Sequence, residues 1–241
     1  GVSYICTSGE KLPHYIESIT SAHPIESTFL RGIVDALNAE VALGSVTSLD
    51  DGISWLGFPY LFTRLCKAPR VYGLDAHDFE ADPTLTQRRR QWITYAANIL
   101  AQHQMIEFDL AAGTLRPTNM GRIASRYYLS HKTVGIFHER LRNNLVEADA
   151  LSLMSRAADF DQIPLRESEE EELTSLLESV PCEVDGGTAT APGKVNILLQ
   201  AHISYLYVDD FALVSDMRYV AQNAGRVLLS LFELALDKGF A

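Results

Sequence analysis

The sequence has few cysteines and no apolar run long enough to cross a bilayer. Its 241 residues include three cysteines, Cys6, Cys66 and Cys182, and no two of them are close in sequence. This usage excludes a disulfide-stabilised scaffold and a cysteine-type zinc site, and it suits a reducing compartment. Residues 1–15 show no basic region followed by an apolar one, and no apolar run reaches about 18–20 residues. We therefore expect a soluble protein of the cytoplasm or nucleus, with the cytoplasm favoured and no membrane partner.

The sequence also lacks the short motifs that carry common chemistries. It contains no G-x-x-x-x-G-K-[ST] phosphate loop, no G-x-G-x-x-G, no H-E-x-x-H and no G-x-S-x-G. The seven histidines include no i, i+4 pair, and no two carboxylates are arranged as an acid and a base. We therefore predict a segment with no catalytic residues, no metal site and no cofactor of its own.

Basic residues are in deficit, which bears on nucleic-acid binding. The 20 Lys and Arg residues face 31 Asp and Glu residues, for a net charge of −11, and 18 of the acidic residues lie in 131–241. Proteins that bind nucleic acid mainly through phosphates are expected to be basic, because each contact releases counterions. Tight autonomous binding is therefore disfavoured, although a local contact within a larger basic channel stays open.

The 47% hydrophobic content is ordinary for a globular chain, and the apolar spacing predicts a mainly α fold. In the first half, helices followed by a hairpin and one more helix are typical of a winged helix. The predicted elements are a short strand over 2–6, helices starting near Glu10, Ile25, Ser48 and Asp82, a hairpin over 105–109 and 114–117, and a helix over 121–129. The helix that starts near Ser48 is expected to run through Leu65 and to stop before Pro69.

After residue 130 the pattern is almost entirely helical. The acidic run from Glu169 to Glu172 is interpreted as the solvated first turn of a helix, where carboxylates suit the helix dipole. The glycine-containing stretch 185–193 is interpreted as a loop. The predicted helices cover 133–145, 148–155, 169–180, 193–205 and 210–238.

The last helix, 210–238, has the most informative pattern. Apolar residues alternate spacings of three and four and predict one buried stripe, with a polar face opposite. That face is either solvated, as in any amphipathic helix, or lines a channel for single-stranded nucleic acid, since Arg, Gln and Tyr suit sequence-tolerant contacts. The exposed position of Leu229 on this face indicates a covering partner. The stripe is Val214, Met217, Ala221, Ala224, Leu228, Leu231 and Ala235, and the polar face is Ser215, Arg218, Tyr219, Gln222, Arg226 and Ser230.

Eight stretches, in order and spacing, together resemble one family, the Ski2-like superfamily 2 helicases with a Sec63-type unit. The resemblance covers nearly the whole chain. The stretches are His23-Pro-Ile-Glu-Ser27; Leu37-Asn-Ala-Glu40 with Leu43-Gly44; Trp55-Leu-Gly57 through Tyr60, Leu61 and Arg64; Tyr72-Gly73; Gly121-Arg-Ile-Ala-Ser125 with Tyr127-Tyr128; Phe160-Asp-Gln-Ile163 with Arg166-Glu167; Lys194-Val-Asn-Ile-Leu-Leu-Gln-Ala201; and Tyr219-Val-Ala-Gln-Asn-Ala-Gly-Arg226.

This resemblance implies a domain order. Residues 1–15 look like the end of a second RecA-like motor domain, 16–130 like a winged helix, and 131–241 like a helical bundle that is truncated at its C-terminus. The bundle's long helix, 210–238, resembles the helix called the ratchet helix. The resemblance places the ATP and Mg²⁺ sites in motor domains upstream.

The resemblance also implies site residues. Gln222, Asn223 and Arg226 match the family's strand-facing positions, and Arg218 is expected to support them. Leu229 stands where the family often has a second arginine, which weakens the match.

The expected function is that of a non-catalytic segment of an ATP-dependent RNA helicase, which guides a single strand during translocation. Its implied partners are single-stranded RNA or DNA, the motor domains of the same chain and subunits of a larger complex. Phe160–Ile163 and Val220–Ala224 resemble the cointegrator-complex and ribosome-quality-control branch more than the spliceosomal one, which usually has Ser at the position of Asn223. The alternatives are a spliceosomal helicase segment and a protein-interaction platform in an inactive helicase cassette.

Overall fold

The computed structural model describes residue 2, residues 4–20 and residues 25–240. Its first half folds as helices around a single antiparallel hairpin, which confirms the mainly α, winged-helix expectation. The elements of this half are α1 (Leu12–Thr20), α2 (Ile33–Leu43), α3 (Leu49–Trp55), α4 (Tyr60–Lys67), α5 (Ala76–Ala81), α6 (Thr86–Gln102), β1 (Ile106–Asp109), β2 (Thr114–Pro117) and α7 (Asn119–Tyr127).

The second half is a helical bundle, as expected. Within it α11 is the central helix, because nine consecutive residues from Gly193 to Ala201 are buried. The long helix α12 packs against α11 and also against α7 and α9, so it contacts both halves of the chain. The elements are α8 (His131–Arg140), α9 (Glu147–Ser155), α10 (Glu170–Ser179), α11 (Ala191–Ile203) and α12 (Phe211–Asp237).

The winged-helix core forms where α2, α6 and α7 close over the hairpin. Leu37, Ile93 and Leu115 are almost fully buried there. Ser48 caps α3 by accepting from the backbone N–H of Asp51, whose side chain accepts in return from the N–H of Ser48. This capping box fixes the start of α3 beside the hairpin.

One hydrophobic core runs through both halves. A single cluster of buried side chains extends from Ile33 in α2, through Phe137 in α8, to Leu234 in α12. Burial of apolar area stabilises a fold by roughly 25 cal/mol per Å². The winged helix and the bundle are therefore held together by a shared apolar interior as well as by polar contacts.

Three helix predictions were wrong in their extent. The helix expected over 133–145 covers His131–Arg140. The helix expected from Ser48 to just before Pro69 is two helices, because Pro59 has no N–H to donate and interrupts the hydrogen-bond ladder. The helix expected from Ile25 begins only at Ile33, after one 3₁₀ turn over Phe29–Gly32.

Side chains from other helices explain that late start. The hydroxyl of Tyr60 donates to the carbonyl of Ile25, and the N–H of Ser27 donates to the hydroxyl of Tyr72. Arg64 and Tyr72 both donate to the carboxylate of Glu26, and the Arg64 hydrogen bond comes first among the causes that lower its pKa. The segment is thus anchored in a non-helical form. His23 and Pro24, which belong to the first resemblance stretch, lie outside the described residues.

The strand expected over 2–6 is not formed by its described residues. Residues 4–8 have irregular backbone, and Gly1 and Ser3 lie outside the described part. A strand needs a neighbour to accept and donate its backbone hydrogen bonds, and within the described residues the paired strands are β1 and β2. The helix expected after Glu10 is present as α1, although none of its residues is buried.

The interpretation of Glu169 as a solvated residue was also wrong. Its side chain is fully buried and accepts from Lys194 Nζ at 2.5 Å, and Lys194 is itself fully buried. The same ammonium donates to Asp216 at 2.7 Å, and Arg166 binds both carboxylates. Burial acts to raise the pKa of Asp216, but hydrogen bonds from Arg166 and Lys194 outweigh it, so that pKa is lowered. These four residues are called the buried ion cluster below.

A histidine pair lies where the two halves meet. The rings of His103, after α6, and His131, in α8, have centroids 5.8 Å apart, and His131 Nδ1 lies 2.8 Å from Asp35 Oδ1. Burial lowers the pKa of His103, and the nearby His131 lowers it further. The fold therefore favours the neutral form of His103.

Acidification from pH 7 to pH 5 is expected to lower the free energy of unfolding through His103. Unfolded histidine binds a proton near pH 6.5, while the folded residue does so only at lower pH, so the unfolded state gains protons first. Urea denaturation at both pH values should show a smaller loss for His103→Asn than for the parent chain. The exposed His77, replaced in the same way, is the control, and an equal loss in the parent and in His103→Asn would contradict the assignment.

Candidate nucleic-acid interface

Helix α12 is one unbroken rod. It begins after Asp210, whose carboxylate accepts from the N–H of Leu213 at 2.8 Å, and it continues through Gly225 to Asp237. At 1.5 Å per residue, the helix is roughly 40 Å long. Its length crosses the boundary between the bundle and the winged helix.

The buried side of α12 differs from the predicted stripe. At about 100° per residue, the buried arc is turned from it by roughly 70°, because the helix packs on α7 and α9 as well as on α11. Leu228, predicted to be buried, is 49% exposed, and Ser230, predicted on the polar face, is fully buried with its hydroxyl donating to the carbonyl of Val227. The buried residues are Leu213, Val220, Ala224, Val227, Ser230, Leu231 and Leu234.

Arg218 and Gln222 lie on the exposed side, one turn apart. Over the described part of the chain, the guanidinium of Arg218 has no hydrogen-bond or ion-pair partner, which leaves its donors available. The two residues line a shallow cleft of about 290 Å³ together with Phe211, Ser215 and Tyr219. This cleft combines a cation, an amide and aromatic rings, as a single-strand contact needs.

Asn223 and Arg226 are placed differently, in contacts within the protein. Arg226 Nη1 donates to the backbone oxygens of Tyr127 and Tyr128, both at 3.0 Å. Its Nη2 donates to Asp159 Oδ1 at 2.6 Å and to Asn223 Oδ1 at 2.9 Å. Arg226 therefore fixes α12 to the end of α7 and to the turn that contains Asp159, and we call this arrangement the Arg226 clamp.

The clamp limits the number of hydrogen bonds that Arg226 can donate to a ligand. A guanidinium has five N–H donors, and four of them are used by the contacts just described. The remaining donor is at Nε, and the side chain is 28% exposed. Arg226 is thus able to give a strand one hydrogen bond without releasing its partners.

Asp159 is the residue of this site that sequence reasoning missed. Its carboxylate also accepts from the hydroxyl of Thr133 at 3.0 Å, and its carbonyl accepts from the hydroxyl of Tyr219 at 3.0 Å. Asp159 is 67 residues from Arg226 in sequence, so helical spacing carries no signal for this pair. Asp159 directly precedes the stretch Phe160–Ile163, which is part of the family resemblance. That position was the one signal in the sequence that pointed to Asp159.

A second cleft, of about 490 Å³, lies beside the clamp and between the two halves. Arg31 and Lys132 are exposed on its walls, and Tyr128 and Asp159 connect it to the clamp. Sequence reasoning did not single out either cation, because one comes before α2 and the other is in α8. The same cleft is also lined by Asp35, Asp159 and Asp161, so it presents charges of both signs.

Comparison with known proteins identifies the architecture. Residues 117–241 match the Sec63 Brl domain, which is just over half of the chain. The chain belongs to the Sec63 Brl domain family. Residues 26–101 separately match a winged helix-turn-helix domain. Helix α12 and all residues of the clamp, including the end of α7, lie within the Sec63 Brl match.

Three curated relatives cover almost the whole chain. RQC trigger complex helicase SLH1 of Saccharomyces cerevisiae is 44% identical over 239 residues, and human activating signal cointegrator 1 complex subunit 3 is 42% identical over 240. The human U5 small nuclear ribonucleoprotein 200 kDa helicase is 38% identical over 241 residues. These alignments cover 99–100% of this chain but only 11–12% of each relative.

The comparisons confirm the family resemblance of this Sec63 Brl protein. Its relatives are named as helicases or as complex subunits, which agrees with the helicase interpretation of its sequence. The domain boundaries and the four strand-facing residues stay predictions. As a separate finding, no helix in the described residues is long and apolar enough to span a bilayer.

Proposed function

We propose that this chain is the winged-helix and ratchet portion of an ATP-dependent RNA helicase and guides a single strand along α12. The observation that carries the proposal is the unpartnered Arg218 beside Gln222 on the exposed side of an unbroken helix. Arg218 binds a phosphate, and Gln222 hydrogen-bonds to a base or sugar. The protein acts in the cytoplasm or nucleus, with the cytoplasm favoured.

In this proposal, the Arg226 clamp fixes the orientation of α12. Arg226, which also donates to Asn223 of the same helix, ties α12 to the end of α7 and to Asp159, so α12 keeps one orientation relative to α7. A strand that contacts Arg218 therefore meets a rigid surface. Arg226 contributes through its remaining Nε donor and, above all, by positioning.

The partners follow from the same proposal. They are single-stranded RNA, with DNA as a second substrate, the motor domains of the same polypeptide, and protein subunits of a larger complex. The sequence holds no phosphate loop, so its own residues do not fit ATP and Mg²⁺. We place both in the motor domains. The names of the relatives favour a ribosome-quality-control or cointegrator complex.

A second candidate function is favoured by one specific observation. Leu229, Phe232 and Leu236 form an apolar ridge on α12 and are each about half exposed. Exposed apolar patches of this kind mark protein–protein contacts. A protein-interaction platform, as in an inactive helicase cassette, would use this ridge and would not need Arg218.

Binding of a fluorescein-labelled single-stranded oligonucleotide, followed by anisotropy as salt is varied, tests the first function. Arg218→Gln should weaken binding by roughly tenfold, as expected for a charge-assisted contact. It should also reduce the slope of log K against log salt by about 0.7, the value for one single-strand phosphate.

The exposed Arg70, replaced by Gln, is the charge-matched control, since it is remote in sequence from α12. Unchanged binding by Arg218→Gln, or an equal loss with Arg70→Gln, would reject the strand-guiding function. Either result would leave the interaction platform as the better hypothesis.

A further inference from the structure

Phe211, the first residue of α12, is exposed to an unusual degree for its type. The residue is 86% exposed, although a phenyl ring stabilises a fold only when it is buried. The preceding connection carries two more exposed rings, Tyr205 and Tyr207, at 95% and 82%. Exposed apolar groups of this kind mark a binding surface.

The structure places Phe211 beside the groups already assigned to strand contact. Positions 211, 215, 218 and 222 are spaced by four, three and four residues and so share one face of the helix. Phe211, Ser215, Arg218 and Gln222 line the same cleft of about 290 Å³. The Cα atoms of Phe211 and Arg218 are roughly 10 Å apart along the helix axis.

The cleft beside Phe211 has acidic residues at one end and a cation at the other. On the N-terminal side, the carboxylate of Glu172 accepts from the N–H groups of Asp209 and Asp210, so three acidic residues lie together there. On the other side, Arg218 is the cation among the residues that line the cleft. An anionic group is therefore drawn toward Arg218 and away from Asp209, while a neutral flat group is favoured at the ring.

We propose that Phe211 is the stacking partner of one base of the bound strand, whose phosphate lies at Arg218. A nucleotide joins a flat aromatic base to a phosphate. The cleft offers an aromatic ring for the base at Phe211 and a cation for the phosphate at Arg218. Every base has a π face, so this contact is independent of sequence. The proposal rests on the strand-guiding function of α12 and adds a base-contacting residue that neither the motifs nor the family resemblance indicated.

The test compares three replacements of Phe211 in the oligonucleotide assay. Phe211→Ala and Phe211→Leu should both weaken binding, by between about fivefold and a hundredfold, the range for base–aromatic stacking. Phe211→Trp should retain the affinity. The salt slope should stay unchanged in all three, because no phosphate contact is removed. Phe58, which is also 86% exposed but precedes α4 in the winged helix, is replaced by Ala as the matched control.

An oligonucleotide with abasic sites separates stacking from other contacts. The parent chain should bind it about as weakly as Phe211→Ala binds the intact strand, and Phe211→Ala should lose little more on it. Parent-like affinity of Phe211→Leu or of Phe211→Ala would overturn the stacking role, as would a loss with Phe58→Ala of the same size. If Arg218→Gln still weakens binding in that case, the strand-guiding function stands and only the stacking proposal fails.

Discussion

Replacement of Lys194 by methionine is expected to lower the free energy of unfolding by about 3–5 kcal/mol. The ammonium of Lys194 and the carboxylate of Glu169 are both fully buried, 2.5 Å apart. Methionine fills a similar volume but leaves Arg166 as the one cation for the two carboxylates of the cluster, Glu169 and Asp216, so one buried negative charge is no longer compensated. An uncompensated buried charge costs more than the pair contributes when intact, so the loss is large. Urea denaturation measures it.

A double replacement distinguishes charge from packing. Lys194→Met combined with Glu169→Leu removes both charges and leaves Arg166 paired with Asp216 at 2.8 Å, so much of the lost stability should return. The exposed pair Arg90–Asp50 gives the control, since Arg90→Gln should cost less than about 1 kcal/mol. A loss below 1 kcal/mol for Lys194→Met would show that the buried ion cluster is not formed.

The elements that the sequence predicted best are those defined by local chemistry. The hairpin was recognised from two β-rich segments around a glycine-containing turn, and its strands occupy 106–109 and 114–117. The last helix was predicted to within one residue at each end, because an unbroken apolar period and the acidic cap Asp210 define it. Pro59 was equally local but was overlooked, and it divides the helix predicted from Ser48.

Tertiary contacts account for what the sequence could not predict. Glu169 belongs to an acidic run that is typical of a solvated helix start, and only its approach to Lys194, 25 residues away, buries it. The buried side of α12 is set by three neighbouring helices, so an apolar count along one helix placed it at the wrong angle. Leu228 and Phe232 are exposed although they match the helical period.

The candidate site was predicted in part for the same reason. The sequence placed Arg218, Gln222 and Arg226 on one side of a helix, which the geometry of α12 reproduces. It gave no sign that Arg226 has an acidic partner at Asp159, because the two are joined only by folding. The site consists of an open cleft and an internal clamp because of tertiary contacts, which the sequence pattern does not show.

Replacement of Gly121 by alanine is expected to cost about 3 kcal/mol of unfolding free energy, the upper part of the usual range for overpacking. A Cβ at this position would lie 2.0 Å from the carbonyl oxygen of Met105 and 2.8 Å from Asn38 Oδ1. The carbonyl is backbone and is held by the hydroxyl of Thr118 at 2.9 Å, so it is unable to move aside. Helix α7 would have to shift from the hairpin instead.

Gly225 supplies the matched control, with the opposite sign. A Cβ there meets nothing within 4 Å, and the residue lies in the interior of α12. Gly225→Ala should therefore stabilise the chain by about 0.5–1 kcal/mol, since alanine loses less backbone entropy in a helix. Denaturant midpoints of the two variants should move in opposite directions. The end of α7 carries the carbonyl oxygens that accept from Arg226, so Gly121→Ala should also weaken strand binding. Wild-type stability of Gly121→Ala would mean that α7 does not pack against the hairpin as described.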